Sequence, residues 1–129
     1  MSNAKHSLKK ILISLLGFHN FLLLTSIFRI MTLKYKPREK DFFYFLSIIP
    51  VDSTILDVGA NIGYKSYFFS KVSGSRVFSF EPITDNNKVL NIVKKLFNLN
   101  NVSTFFYACG EKNSTVEMTM PVVDKVNEH

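Results

Sequence analysis

The chain has 129 residues, 47% hydrophobic and 20% charged, with thirteen Phe, five Tyr and no Trp. That composition excludes disordered and collagen-like chains and allows one folded domain with an aromatic core. Its single cysteine, Cys109, excludes an internal disulfide framework and a cysteine-only zinc site, so a reducing cytoplasm is the expectation.

The formal net charge of +6 is concentrated at one end: residues 1–40 carry eight Lys and Arg against Glu39 alone, and the rest carry eight basic against nine acidic groups. The body of the chain therefore lacks the basic footprint of a nucleic-acid-binding domain. Lys5, Lys9 and Lys10 precede a stretch from Ile11 to Phe28 that contains no Asp, Glu, Lys or Arg. Its length approaches a bilayer span, but Gly17, His19 and Asn20 sit at its midpoint, where a lipid-exposed helix tolerates them least. Two readings stand. In one, one or two helices broken near Gly17 to Asn20 pack on the rest of the chain or lie on a membrane surface by basic and apolar contacts through residues 5–40. In the other the stretch is an anchor, and the basic run Arg29 to Lys40 keeps the remainder of the chain in the cytoplasm. No small-residue cleavage site succeeds it, so a removed signal peptide is not expected.

Asp41–Ile49 places Phe42, Phe45, Leu46 and Ile49 at spacings of three and four, which predicts a helix stopped by Pro50. From Ser53 apolar runs alternate with helical segments, the pattern of an α/β domain with parallel strands. The expected elements are a buried strand at Thr54–Val58, a helix at Ile62–Val72 with Tyr64, Phe68, Phe69 and Val72 as its apolar positions, and a strand at Ser75–Phe80. A helix at Asp85–Asn98 comes next, with Val89, Ile92, Val93 and Leu96 facing the sheet, then a strand at Val102–Tyr107 and a short extra strand at Ser114–Met120. The organisation expected is a basic, apolar helical segment over 1–50 and an α/β unit over 51–129.

The informative stretch is Ile55–Gly63, a strand running into a glycine turn and then a helix. Gly59 permits a tight turn and close approach of backbone to a ligand, and Gly63 lets the next helix begin hard against the sheet. The dinucleotide fingerprint fails because Asn61 and Tyr64 stand where it needs glycine, and the phosphate loop fails because its second glycine comes one residue early. Asp57, ending the first strand, would repel pyrophosphate and favour a cationic, zwitterionic ligand such as S-adenosylmethionine. Glu81 ends the second strand, where a carboxylate can accept both hydroxyl protons of a ribose.

DVGANIGYKSYFF, VFSFEP and NVSTFFYACGEKNSTVEM resemble the class I S-adenosylmethionine-dependent methyltransferases, and most of all the FkbM family, over about Thr54 to Met120. The resemblance implies a Rossmann-like fold and an O-methyltransferase acting on a hydroxyl of a glycan or natural product, with a small molecule or glycan as partner; the charge distribution leads to the expectation of no nucleic acid. It implies a cofactor loop of Asp57, Gly59, Ala60, Asn61 and Gly63, ribose binding by Glu81, a turn shaped by Pro82, and adenine passing Ala108 and Cys109. The family's sheet has seven strands, so the chain is expected to be a fragment truncated after the third, without the substrate half or any nameable catalytic residue. A non-catalytic binding or membrane-associated α/β module derived from that fold is the alternative. Cys109 is expected to be a small packed side chain, and Lys65 a surface residue.

Overall fold

The structure, a computed structural model, describes residues 2–119. Helices α1 (Ser2–Leu16) and α2 (Phe18–Thr32) are separated by Gly17, whose φ of 79° ends the first helix. Only glycine enters that region without steric cost, so the stretch from Ile11 to Phe28 breaks here. The bend is supported by polar contacts: the Gly17 N–H donates to the Ile13 carbonyl at 2.9 Å, and Asn20 Nδ2 donates to the Leu16 carbonyl at 2.9 Å. Asn20 thus satisfies a carbonyl that the end of α1 leaves open. The two helices are bent by 119° relative to each other, and no single helix among the described residues is long and apolar enough to cross a membrane.

Two short 3-10 turns, Leu33–Tyr35 and Pro37–Glu39, lead into α3 (Lys40–Ile48). The next unit is β1 (Thr54–Val58), α4 (Tyr64–Ser70), β2 (Arg76–Phe80), α5 (Thr84–Leu96) and β3 (Val102–Phe105). Its strands form one parallel sheet in the order β1-β2-β3. This is the connectivity of a Rossmann-like β-α-β-α-β unit, as the alternating apolar and helical segments predict.

Both helices of this unit cover the same face of the sheet. Asp57, Ser79 and Thr104 are in register across the three strands; α4 reaches the first two through Ser66, and α5 reaches the third through Asn91. The core between them contains Ile55, Val77, Val102, Phe69, Val89 and Val93, and α2 adds Ile30 to it from the N-terminal segment. Helix α2 lies against α4 and α5 and is tied to the loop that precedes α4 by Ser26, fully buried, whose Oγ donates to the Ile62 carbonyl at 2.6 Å. An aromatic cluster fixes α3, with Phe42 set edge-on to both Phe68 and Phe69 at 6.1 and 5.5 Å between centroids.

Several expected boundaries shift for local reasons. Helix α4 starts at Tyr64 and not at Ile62, because Gly63 takes a left-handed conformation at φ 85° and Ile62 turns into the core. It ends at Ser70, and the second strand starts at Arg76, because Ser75 is buried with its Oγ on the Phe69 carbonyl. In α5, Leu96 is 55% exposed and does not face the sheet, whereas Leu90 is fully buried. A helix covered by α2 as well as by the sheet has a wider buried face than a single stripe predicts. Strand β3 stops at Phe105, short of Tyr107, and Ser114–Thr119 is irregular, so the extra strand is absent over those residues; Met120, its expected end, lies outside the described residues. Strand β1, expected to be buried, is covered on one face only: Ile55 and Asp57 are buried while Leu56 and Val58 are 64% and 60% exposed.

The two glycines around the β1–α4 turn differ in what surrounds them. A Cβ on Gly63 would lie 2.9 Å from Leu90 Cδ1 and 3.3 Å from Leu90 Cα, whereas a Cβ on Gly59, at φ 77°, meets nothing within 4 Å. Gly59→Ala is therefore expected to cost about 1–2 kcal/mol for the left-handed conformation alone. Gly63→Ala should cost a further ~1–3 kcal/mol for overpacking against α5. Urea denaturation of the two variants checks the order; equal losses would mean that Gly63 is required only for its backbone angle.

Candidate functional site

The C-terminal ends of parallel strands, where loops lead into helices, are where α/β sheets bind ligands. Here that edge is formed by residues 59–63 after β1 and by residues 81–83 after β2. The first loop is folded back on the second strand: the N–H groups of Gly59 and Ala60 both donate to the Phe80 carbonyl at 3.0 Å. Gly63 N–H donates to the Ala60 carbonyl at 3.0 Å, closing the turn, and Asn61 sits between them at φ 54°. Asparagine is among the few residues with a side chain that adopt this conformation readily.

Glu81 joins the two loops. Its Oε2 accepts the Asn61 backbone N–H at 2.7 Å and its Oε1 accepts the Ile83 backbone N–H at 2.9 Å. Its own N–H donates to the Phe105 carbonyl at 3.0 Å, and its carbonyl accepts Asn87 Nδ2 at 3.1 Å, so the residue is anchored from β3 and α5 as well. Only 4% of Glu81 is exposed. A carboxylate accepting two amide protons in a buried setting makes strong, charge-assisted bonds.

Asp57 lies on the helix-covered side of β1, 8% exposed, with Oδ2 accepting Ser66 Oγ at 2.6 Å. Ser66 Oγ is 2.9 Å from Ser79 Oγ. A hydroxyl has one proton, so with Ser66 donating to Asp57, Ser79 donates to Ser66, and the three form a polar chain between α4 and the sheet. Burial raises the Asp57 pKa above its ordinary value of 3.8; the Ser66 bond and the Lys65 charge oppose that shift, and the negative charge of Glu81 adds to it.

The structure thus brings Asp57, Gly59, Ala60, Asn61, Gly63 and Glu81 into one region, with Pro82 half-buried beside Glu81. Ala108 is exposed, beyond the end of β3 at Phe105. Cys109 is exposed and not packed, which corrects the expectation for it. Lys65 is half-buried, with Nζ 4.9 Å from the centroid of the Phe42 ring.

Sequence reasoning missed Ser66, Ser79, Asn87, Asn91 and Thr104. Thr104 Oγ1 donates to Asn91 Oδ1 at 2.7 Å, and Asn91 Nδ2 donates to Asn87 Oδ1 at 2.9 Å, which completes a second polar chain leading to Glu81. Every buried side-chain nitrogen and oxygen among the described residues has a partner. The available signal was small polar residues on faces otherwise filled by Phe and Val, since such residues persist in a core only when hydrogen-bonded.

No family model matches the chain, and no curated protein matches it. Among solved structures, it is similar to one described as the "crystal structure of putative rRNA-methylase from Clostridium thermocellum", at 17% identity and a TM-score of 0.49. The match covers 54% of this chain and 39% of that one, so this chain spans well under two thirds of that structure's length. At that identity and extent the likeness says nothing about ligand or reaction.

The buried Asp57 carboxyl has a consequence for stability. Because its folded pKa is raised, folding takes up a proton. The favourable contribution is complete below the ordinary value of 3.8 and is lost as pH rises through the raised folded value. Asp57→Asn keeps an acceptor for Ser66 without the charge, and is expected to lose less stability than the parent chain as pH climbs from 4 toward 7. Urea midpoints across that range test it. A parent chain that gains on the variant with rising pH would show that Ser66 and Lys65 outweigh burial.

Proposed function

We propose that this chain forms an S-adenosylmethionine site and is the cofactor-binding part of an O-methyltransferase acting on a hydroxyl of a glycan or natural product. The observation that carries this reading is Glu81. It is an acidic residue at the C-terminal end of β2, set beside the glycine turn that ends β1 and holding that turn through the Asn61 N–H. The acceptor class rests on the resemblance of DVGANIG and FEP to the FkbM family.

The residues fit such a ligand in three respects. Open space beside Gly59 lets a ligand approach the backbone. A carboxylate offers about four acceptor positions, and Glu81 uses two of them on backbone amides, leaving others for a pair of ribose hydroxyls. Two carboxylates at this edge, Asp57 and Glu81, disfavour a pyrophosphate and favour a cation; Asp57 acts through its field, since its side chain is under α4. Gly59, Ala60, Asn61 and Gly63 would line the loop, with Pro82 and Ala108 beside the adenosine. When bound, S-adenosylmethionine supplies a methyl group on a sulfonium, activated for transfer to a hydroxyl oxygen.

A second reading is favoured by the low exposure of Glu81 and the use of both its oxygens by backbone amides. Those facts also suit a non-catalytic module in which the carboxylate serves only to fold the loops. Calorimetric titration with S-adenosylmethionine separates the two. Saturable binding that Glu81→Gln weakens tenfold or more, in a variant still folded by circular dichroism, is the expected result. No binding by the folded parent chain would discard the cofactor site and leave the non-catalytic module.

A further inference from the structure

The N-terminal helices carry two exposed apolar stripes that the site does not use. On α2, the residues facing the core are Leu22, Leu23, Ser26, Ile30 and Leu33. At 100° per residue, Leu24, Phe28, Met31 and Tyr35 fall on the opposite side of the helix and its 3-10 extension, and they are 50%, 61%, 66% and 73% exposed. On α1, Leu8, Ile11 and Leu15 recur at spacings of three and four and are likewise exposed, Leu15 by 76%. Isolated apolar side chains on a surface need no explanation, but continuous stripes on two successive helices mark an interaction surface.

The charge around these stripes selects the occupant. Lys5, Lys9 and Lys10 lie on α1, and Lys34, Lys36, Arg38 and Lys40 come after α2, with Glu39 the sole acidic residue of the first forty. The ammonium groups of two of these lysines sit over aromatic rings, Lys9 Nζ at 5.9 Å from the Phe21 centroid and Lys34 Nζ at 4.9 Å from that of Tyr35, which puts positive charge directly beside the apolar surface. A second copy of the chain would bring two such basic clusters together, and a nucleic acid would leave the stripes in water. An anionic bilayer takes both features, with apolar side chains below the headgroups and ammonium groups among them.

We infer that α1 and α2 dock this chain on an anionic lipid surface, with the bend at Gly17 and the stripes of both helices immersed at the interface. A crossing is opposed by length: each helix has fifteen residues, or about 22 Å at 1.5 Å per residue, against a hydrocarbon core of about 30 Å. The 119° bend turns the chain back at Gly17, and Ser26 holds α2 to the domain. This inference does not depend on the cofactor reading.

Co-sedimentation of the full chain with vesicles of phosphatidylcholine alone, and of phosphatidylcholine with one quarter phosphatidylglycerol, tests it. Binding to the anionic vesicles only, weakened by salt, is expected. Replacing Lys5, Lys9 and Lys10 together by Gln should reduce the partition coefficient roughly a hundredfold. Leu15→Ser with Phe28→Ser should also reduce it strongly; both positions are exposed, so thermal melting should be unchanged. Because the chain has no Trp, Phe28→Trp gives a single reporter whose emission should shift to the blue on anionic vesicles, whereas Val116→Trp, outside the helices, should not shift. Equal binding to both vesicle types, or no sedimentation by folded chain, overturns the inference. So does a dimer in ultracentrifugation that Leu15→Ser abolishes while vesicle binding is absent.

Discussion

Helix α4 is fastened to the sheet by the chain Ser79, Ser66, Asp57, set inside a layer otherwise filled by Ile55, Val77 and Phe69. The position of the β1–α4 turn depends on it. An ionised carboxylate placed in such a layer is costly without donors, so once Asp57 points inward, the helix must present a hydroxyl at that height and in that rotation. With Ser66 there, Tyr64 begins the helix, Gly63 meets α5 at Leu90, and Ile62 offers its carbonyl to Ser26 of α2. The turn is therefore bounded by the sheet, α5 and α2, and it is open at Gly59.

The open face of the sheet presents a different environment. Leu56 and Val58 are exposed beside Phe78, Phe80 and Phe105, the last two stacked at 4.9 Å with planes 17° apart. Among the described residues, no strand pairs with the outer edge of β1. Ser53 and Gly59 bond β2 through their carbonyl and N–H respectively, so the backbone groups of Thr54, Leu56 and Val58, which alternate with them, point outward. An apolar face next to an unpaired edge is the arrangement that natural sheets usually cover or blunt.

Much of this was legible in the sequence, and what escaped has a common cause. Period and turn residues identified all three strands, the break at Gly17 and the two helices of the α/β unit, because each of these is decided within a few neighbouring residues. Tertiary contacts decided the rest. Leu90 and not Leu96 is buried because Leu90 packs against Gly63, distant in sequence, in the β1–α4 turn. The inward direction of Asp57 was hidden because Ile55, Leu56 and Val58 are all apolar, so alternation gave no clue to which face the helices would cover. Cys109 and Ser114–Thr119 were expected to be packed or paired, but the chain beyond Phe105 has no described strand or helix against which to fold.

Glu81 also bears on the order in which the chain assembles. The Asn61 amide and its acceptor are twenty residues apart, and the N–H groups of Gly59 and Ala60 wait for the Phe80 carbonyl on the same strand. The turn's one internal bond, from Gly63 N–H to the Ala60 carbonyl, can form locally, but the Gly59, Ala60 and Asn61 amides find their acceptors only when β2 arrives. Glu81 in turn takes its backbone bond from Phe105 on β3. A strand-by-strand assembly would therefore complete the candidate site only after β2 and then β3 have joined β1, and fraying of β3 would remove the Phe105 carbonyl that holds Glu81 N–H.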